Sequence, residues 1–203
     1  PYDPRSNRAL WTPDSLNAQN ISVGKVELSW IRKGRDFDGF IIDKKVGDEE
    51  WAIQGLGLRD KSWGPRYWQA IEWYRWLTIN INDEIGFMLS IVHQNEDSEK
   101  RGGIVLVDGE YQTIKDCRIE TEYDEDYFHT SFKAWAKTDK DEYEIEGKVL
   151  SLIPLRNRRE NPEGKMLTTR ISEGMTEYTY KGIVGYGMSE YLDQVVDGKP
   201  VGL

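Results

Sequence analysis

The segment 71–93, IEWYRWLTININDEIGFMLSIVH, decides the fold that we predict. Its first half alternates two sets of residues, which is typical of a strand whose two faces meet different surroundings. One set consists of Ile71, Trp73, Arg75, Leu77, Ile79 and Ile81, and the other consists of Glu72, Tyr74, Trp76, Thr78, Asn80 and Asn82. A turn at residues 82–84 then leads into a second alternating run. The segment therefore predicts a β-hairpin in which Phe87, Leu89 and Ile91 share one face.

The same alternation continues along most of the chain, with Gly-rich or Asp-rich turns between the runs. The further runs are residues 24–32, 37–44, 103–107, 117–123, 130–137, 142–152, 166–172 and 176–188. Many strands joined by short turns favour an all-β fold, an antiparallel meander that forms a barrel or a strongly bent sheet. We expect little helix, with one short helical turn near residues 65–70.

We predict three segments along the chain. Residues 1–20 have no periodicity and carry Pro4 and Pro13, which indicates an extended arm. Residues 21–196 form a single β domain, and residues 197–203 form a tail. Within the domain, we expect the longest loop at residues 156–165, and we interpret its arginines as solvated charges.

Composition excludes several classes of function. A net charge of −9 argues against a nucleic-acid binder, because phosphate contacts need clustered Lys and Arg. No run is long and apolar enough to cross a bilayer, so we expect no membrane span. The single cysteine, Cys117, cannot form an internal disulfide, and this favours the cytoplasm.

We expect neither a metal nor a cofactor. His93 and His129 are the only histidines, and their spacing does not match an ordinary zinc site. The sequence contains no phosphate-binding loop and no dinucleotide fingerprint. Any chemistry is therefore expected to be acid-base or conformational catalysis by side chains.

Five of the eight tryptophans lie between residues 51 and 76. The segment 59–68, RDKSWGPRYW, combines two of these rings, Trp63 and Trp68, with charges and a Gly-Pro turn. We interpret this segment as the wall of an apolar pocket with a few polar groups, the usual form of a small-molecule site. The alternative interpretation is a structural turn locked by an ion pair between Asp60 and Arg66.

The longer segment 55–68, GLGLRDKSWGPRYW, resembles a signature of the lipocalin-like carotenoid hydratase superfamily, also called hydroxyneurosporene-synthase-like or AttH-like. Its bacterial branch typically shows Arg-Asp-His-Ser-Trp-Gly-x-Arg, and here Lys61 replaces the histidine. The segment 185–191, GYGMSEY, is similar to the family's closing Gly-x-Gly-x-x-Glu pattern. The resemblance implies a lipocalin- or calycin-like barrel that corresponds to the second half of a two-half architecture.

Relatives in that superfamily add water to isoprenoid double bonds or promote cyclisation of polyketide-like molecules, so the resemblance implies a hydrophobic ligand and such a reaction. Protonating an alkene requires an acid, and aromatic faces stabilise the carbocation. We therefore expect Asp60 and Glu190 as candidate acids and Arg66 and Tyr67 as groups that hold a substrate oxygen. The expected ligand-binding residues are Trp63, Trp68, Trp73, Trp76, Met88 and Tyr186.

Three functions stay open from the sequence. The first is a cofactor-free hydratase or cyclase, which the Lys61 substitution would impair if the family's histidine takes part in catalysis. The second is a noncatalytic carrier of apolar ligands. The third is a structural barrel that completes a companion domain, a partner chain or a homo-oligomer.

Overall fold

The computed structural model of this protein describes the strands at residues 2–3, 8–9, 26–32, 38–46 and 49–57 by their backbone, and residues 68–94 and 98–203 with side chains. The chain divides into two compact units, Pro1–Arg59 and Asp60–Leu203. The predicted single domain over residues 21–196 stays a prediction.

The first unit contains two small antiparallel sheets. Strands β1 (Tyr2–Asp3) and β2 (Arg8–Ala9) pair with each other within the predicted arm. Strands β3 (Val26–Arg32), β4 (Asp38–Val46) and β5 (Glu49–Gly57) form a three-stranded meander. The alternating runs predicted at residues 24–32 and 37–44 are thus confirmed as strands over their described residues, 26–32 and 38–44.

The second unit is a ten-stranded antiparallel sheet with one short 3-10 helix, η1 (Trp68–Ala70), among its described residues. The bounds of its strands are β6 Trp73–Asn80, β7 Ile85–His93, β8 Glu99–Val107, β9 Glu110–Ile114, β10 Asp116–Tyr123, β11 His129–Lys137, β12 Glu142–Glu160, β13 Met166–Tyr180, β14 Ile183–Val196 and β15 Lys199–Pro200. The strands pair in the order β10-β11-β12-β13-β14-β6-β7-β8-β9, and β15 adds to β14.

The sheet bends until distant strands meet across its inner face. The Phe87 ring on β7 contacts the rings of Tyr143 on β12 and Tyr180 on β13, with centroid distances of 5.4 Å. At the end of the sheet, the Cys117 thiol on β10 approaches the Ser90 and Gly102 carbonyls of β7 and β8. The predicted all-β meander is therefore confirmed as a bent sheet, which is not closed by strand pairing.

The inner face carries the core, and the alternation predicted for residues 71–93 is confirmed there. Leu77, Ile79, Phe87 and Leu89 are fully buried and pack in one cluster with residues of β8 and β11–β14. Burying each such side chain stabilises the fold by roughly 1.5–3 kcal/mol. The alternate positions of β6, such as Tyr74 and Trp76, lie on the outer face of the sheet.

Two predictions about the strand boundaries are wrong. Residues 156–160 belong to β12 and pair with β13 up to Glu160, so the loop is confined to residues 161–165. Residues 176–188 do not form one strand, because β13 ends at Tyr180 and β14 begins at Ile183. The Lys181-Gly182 turn between them has positive φ angles of 49° and 79°, the conformation of a tight type I′ hairpin.

Candidate functional site

The outer face of the sheet holds a cavity of about 700 Å³. Its floor is formed by five adjacent strands in the order β12, β13, β14, β6 and β7, and Trp68, Ala70 and Ile71 of the segment 68–71 also line it. We call this cavity the outer groove. Its described lining residues all belong to the second unit, and none of them is part of the core cluster.

An apolar row crosses the floor of the outer groove. Each residue of the row lies opposite the next across a strand pair, because the antiparallel register places them in line. The row consists of Leu155, Ile171, Leu192, Tyr74 and Val92. It gives the groove a continuous hydrophobic surface that runs across the strands.

A polar row lies beside the apolar row, two residues further along the strands. Glu173 faces Glu190, Glu190 faces Trp76, and Trp76 faces Ser90 in the register. All four line the groove, and the two glutamates are half-buried. The Tyr74 hydroxyl donates a hydrogen bond to Glu190 Oε1. The groove therefore combines two carboxylates with aromatic rings, a pattern that suits acid chemistry on an apolar molecule.

Polar side chains hold the segment 68–71, which lines the groove, in place. Gln194 Nε2 donates to the carbonyls of Trp68 and Ile71, each at 2.8 Å. Thr169 Oγ1 in turn donates to Gln194 Oε1 at 2.9 Å, which fixes the amide orientation. Gln69 Nε2 adds a bond of 3.0 Å to Asn157 Oδ1 on β12. These bonds position the Trp68 ring beside the groove.

The structure brings together some of the residues that we predicted from the sequence. Trp68, Trp76 and Glu190 line the outer groove. Met88 and Tyr186 lie on the same face but are not among its lining residues. The Trp73 ring instead stacks on His93, with ring centroids 5.2 Å apart. Asp60, Lys61, Trp63, Arg66 and Tyr67 lie outside the described residues.

Sequence reasoning missed Tyr74, Glu173, Ser90 and Val92 as groove residues. Each of these residues lies at an outer-face position of its strand. The side-chain alternation does not reveal which outer-face residues of different strands become neighbours. Glu173 and Glu190 are 17 positions apart, and only the register around the Lys181-Gly182 turn places them opposite each other. The missing signal was the position of that turn.

A second polar cluster lies on the inner face, within the core. His129 Nε2 lies 2.8 Å from Ser189 Oγ, which lies 2.7 Å from Thr176 Oγ1. The His129 ring stacks on Tyr191 at a centroid distance of 4.0 Å. Burial lowers the pKa of His129 to about 4. The bond between His129 and the Ser189 carbonyl has the opposite, smaller effect and raises this pKa. Because His129 is only 1% exposed and Ser189 is fully buried, we assign this cluster a structural role.

Cys117 is buried, and burial raises the pKa of its thiol. Within residues 68–94 and 98–203, no group of three or more His, Cys, Asp or Glu side chains is arranged to hold a metal ion.

Comparison with curated proteins finds no match. None of the helices among the described residues has the length and apolar character needed to cross a membrane. One family model matches residues 44–195, which is 152 of the 203 residues and includes every strand of the outer groove. The chain therefore belongs to the family described as a domain of unknown function, DUF7064.

Proposed function

We propose that this protein binds an isoprenoid-like or polyketide-like apolar molecule in the outer groove and promotes its hydration or cyclisation without a cofactor. The observation that carries this proposal is the position of the Glu173 and Glu190 carboxylates beside the Trp76 ring, on the edge of a continuous apolar row. The volume of about 700 Å³ lies within the range of small-molecule sites.

Binding follows from the apolar row and the aromatic rings. Transfer of an apolar molecule from water onto Leu155, Ile171, Leu192 and Val92 is favoured by about 25 cal/mol for each Å² of apolar surface removed from water. The rings of Trp68 and Trp76 add large contact areas. The few polar groups fix the orientation of a ligand that carries a double bond or an oxygen.

For a hydration, the acid form of Glu190 donates its proton to one carbon of the double bond. The neighbouring carbon becomes a carbocation, which the faces of Trp68 and Trp76 stabilise. The oxygen of a water molecule adds to the carbocation, and the surplus proton of that water returns to a carboxylate of the Glu173 and Glu190 pair. The Tyr74 hydroxyl bond keeps the Glu190 carboxyl group in one orientation.

For a cyclisation, the same proton transfer starts the reaction, and a second double bond of the ligand replaces the water as the nucleophile. Loss of a proton to the carboxylate pair then ends it. Both reactions need one acid, one base and a surface that holds the chain in a reactive conformation.

The test incubates the protein with farnesol in D2O and measures products by mass spectrometry. We expect a product that gains one molecule of water and carries one new C–D bond, or a cyclic isomer with the mass of the substrate plus exchanged deuterium. Glu190→Gln is expected to lower turnover by about 10²- to 10⁴-fold while farnesol affinity changes little. Trp76→Leu is expected to weaken binding instead.

Glu177→Gln is the matched control, because Glu177 lies on the same face of β13 but does not line the groove. This variant is expected to keep both affinity and turnover. Binding without any product, unchanged by Glu190→Gln, would identify a noncatalytic carrier. Absence of binding would overturn the proposal as a whole and favour a structural subunit.

A further inference from the structure

The outer groove is long in only one direction. Its lining residues come from five adjacent strands, which span about 19 Å at the usual spacing between strands. Along the strands, the described lining residues that belong to these five strands fall in the apolar row and the polar row, which lie about 7 Å apart because two residues separate them. The long axis of the groove therefore runs across the strands.

The floor of the groove fits an extended chain better than a compact molecule. The apolar row is one residue wide along the strands and five strands long. An extended chain that lies along the row can contact all five of its side chains, whereas a compact polycyclic molecule is shorter than the row and contacts fewer of them.

Its two ends are formed by different strands. Leu155 on β12 lies at one end of the apolar row, and Val92 on β7 lies at the other. Between them, Ile171, Leu192 and Tyr74 occupy the three central strands. A ligand that covers the full row must therefore be extended over all five strands.

We propose that the outer groove selects linear ligands by chain length and accommodates an extended chain of about 16 bonds, since an extended chain advances roughly 1.2 Å per bond. This inference rests on the proposed binding function and specifies its ligand as a linear, extended molecule that lies across the strands. Affinity rises with each added carbon until the chain spans from Leu155 to Val92, and then it stops rising.

The experiment measures dissociation constants of linear primary alcohols, from decanol to eicosanol, by isothermal titration calorimetry with delivery from cyclodextrin. We expect affinity to increase about twofold to fourfold for each added methylene and to level off near hexadecanol. Adamantanol serves as the compact control, because it has as many carbon atoms as decanol. It is expected to bind more weakly than decanol.

Two variants shorten the groove from opposite ends. Val92→Phe and Leu155→Trp each fill about one strand spacing. Each is therefore expected to shorten the alcohol length at which affinity levels off by about four carbons. Met88→Phe is the matched control, because Met88 lies on the same strand and face as Val92 without lining the groove. Met88→Phe is expected to leave the alcohol length at which affinity levels off unchanged.

The outcomes separate this inference from the proposed function. Alcohols that bind with no dependence on length, or with adamantanol equal to decanol, would overturn the chain-length selection and leave binding intact. If affinity levels off at the wild-type alcohol length in both Val92→Phe and Leu155→Trp, chain-length selection is likewise overturned and binding stays intact. If no alcohol binds the wild-type protein, both the inference and the proposed function fail.

Discussion

Glu173 and Glu190 lie directly opposite each other on β13 and β14, and both line the outer groove. An apolar row runs beside them, and the Trp76 ring follows Glu190 in the same polar row. Two carboxylates at one cross-strand position repel each other when both are ionised. A sheet that only had to be stable would gain from a neutral or basic residue at one of these positions.

Replacing one carboxylate should therefore stabilise the fold. We expect Glu173→Gln to raise the free energy of unfolding by roughly 0.2–1 kcal/mol, measured by urea denaturation at neutral pH. Glu177→Gln is the control, because Glu177 lies on the same strand and accepts a hydrogen bond from the Tyr186 hydroxyl at 3.4 Å. A less stable Glu173→Gln protein would show that the pair contributes to folding and would remove this argument for function.

His129 should make the protein sensitive to mild acid. Its folded pKa is about 4, below its usual value of 6.5, because burial disfavours the charged ring. Between these two pH values the unfolded chain binds a proton that the folded protein does not. Stability contributed by neutral His129 is therefore present above pH 6.5 and is lost as the pH falls towards 4, by about 3 kcal/mol in total.

The measurement is urea denaturation at several pH values for the wild type and for His129→Gln, which cannot titrate. The wild type is expected to lose more stability than the variant over this range, with an extra slope that approaches 1.4 kcal/mol per pH unit. Parallel curves for the two proteins would contradict a buried, neutral His129.

The Arg75 and Asp193 pair should behave as a buried ion pair that also holds the C-terminal tail. Their side chains are 5% and 4% exposed and lie 3.0 Å apart. Arg75 also donates to the Gly202 carbonyl at 2.7 Å, and Asp193 accepts from the Gly202 amide. We expect Arg75→Met to lower the free energy of unfolding by about 3–5 kcal/mol, because it leaves the Asp193 carboxylate buried without its cation.

The double variant Arg75→Met/Asp193→Leu is expected to recover a large part of that loss, since it leaves no unpaired charge. Lys115→Met, which removes an exposed pair with Asp139, is the control and should change stability little. A double variant as unstable as Arg75→Met alone would show that the loss comes from packing and from the tail.

Gly187 should tolerate no side chain. A Cβ atom at this position of β14 would lie 1.8 Å from the Thr78 carbonyl oxygen on β6. The backbones of the two strands must move to accept it, so we expect Gly187→Ala to lower the free energy of unfolding by about 1–3 kcal/mol. Gly102→Ala on β8 is the control, because its nearest atom is 3.5 Å away. Equal stability of the two variants would contradict the close approach of β14 and β6.

The alternation of side chains predicted much of this fold because a half-buried strand repeats its environment every two residues. From this pattern alone, Leu77 and Ile79 were placed in one alternating set, and Phe87 and Leu89 were placed on one face of the next strand. It failed where charge hid the pattern, as in the exposed arginines of β12, which we took for a loop. It also failed at Lys181-Gly182, because a tight turn between two similar alternating runs leaves the period almost unbroken.

The groove was only partly predictable for a related reason. Trp76 and Glu190 stood out by residue type, and Trp68 stood out by its neighbours in the sequence. Glu173 and Val92 join them through strand register, which depends on turn positions that the side-chain period does not encode. Trp73 was expected with the other rings, but alternation directs it away from Tyr74 and Trp76, and it stacks on His93.

Native mass spectrometry of the protein purified from cells tests the central claim most directly, because it detects any molecule that occupies the outer groove. We predict a bound apolar molecule in the wild-type spectrum that is lost in Trp76→Leu. It should be retained in Trp135→Leu, whose ring contacts Arg118 away from the groove. A wild-type protein that is empty, or a ligand that both variants retain equally, would contradict binding in the outer groove.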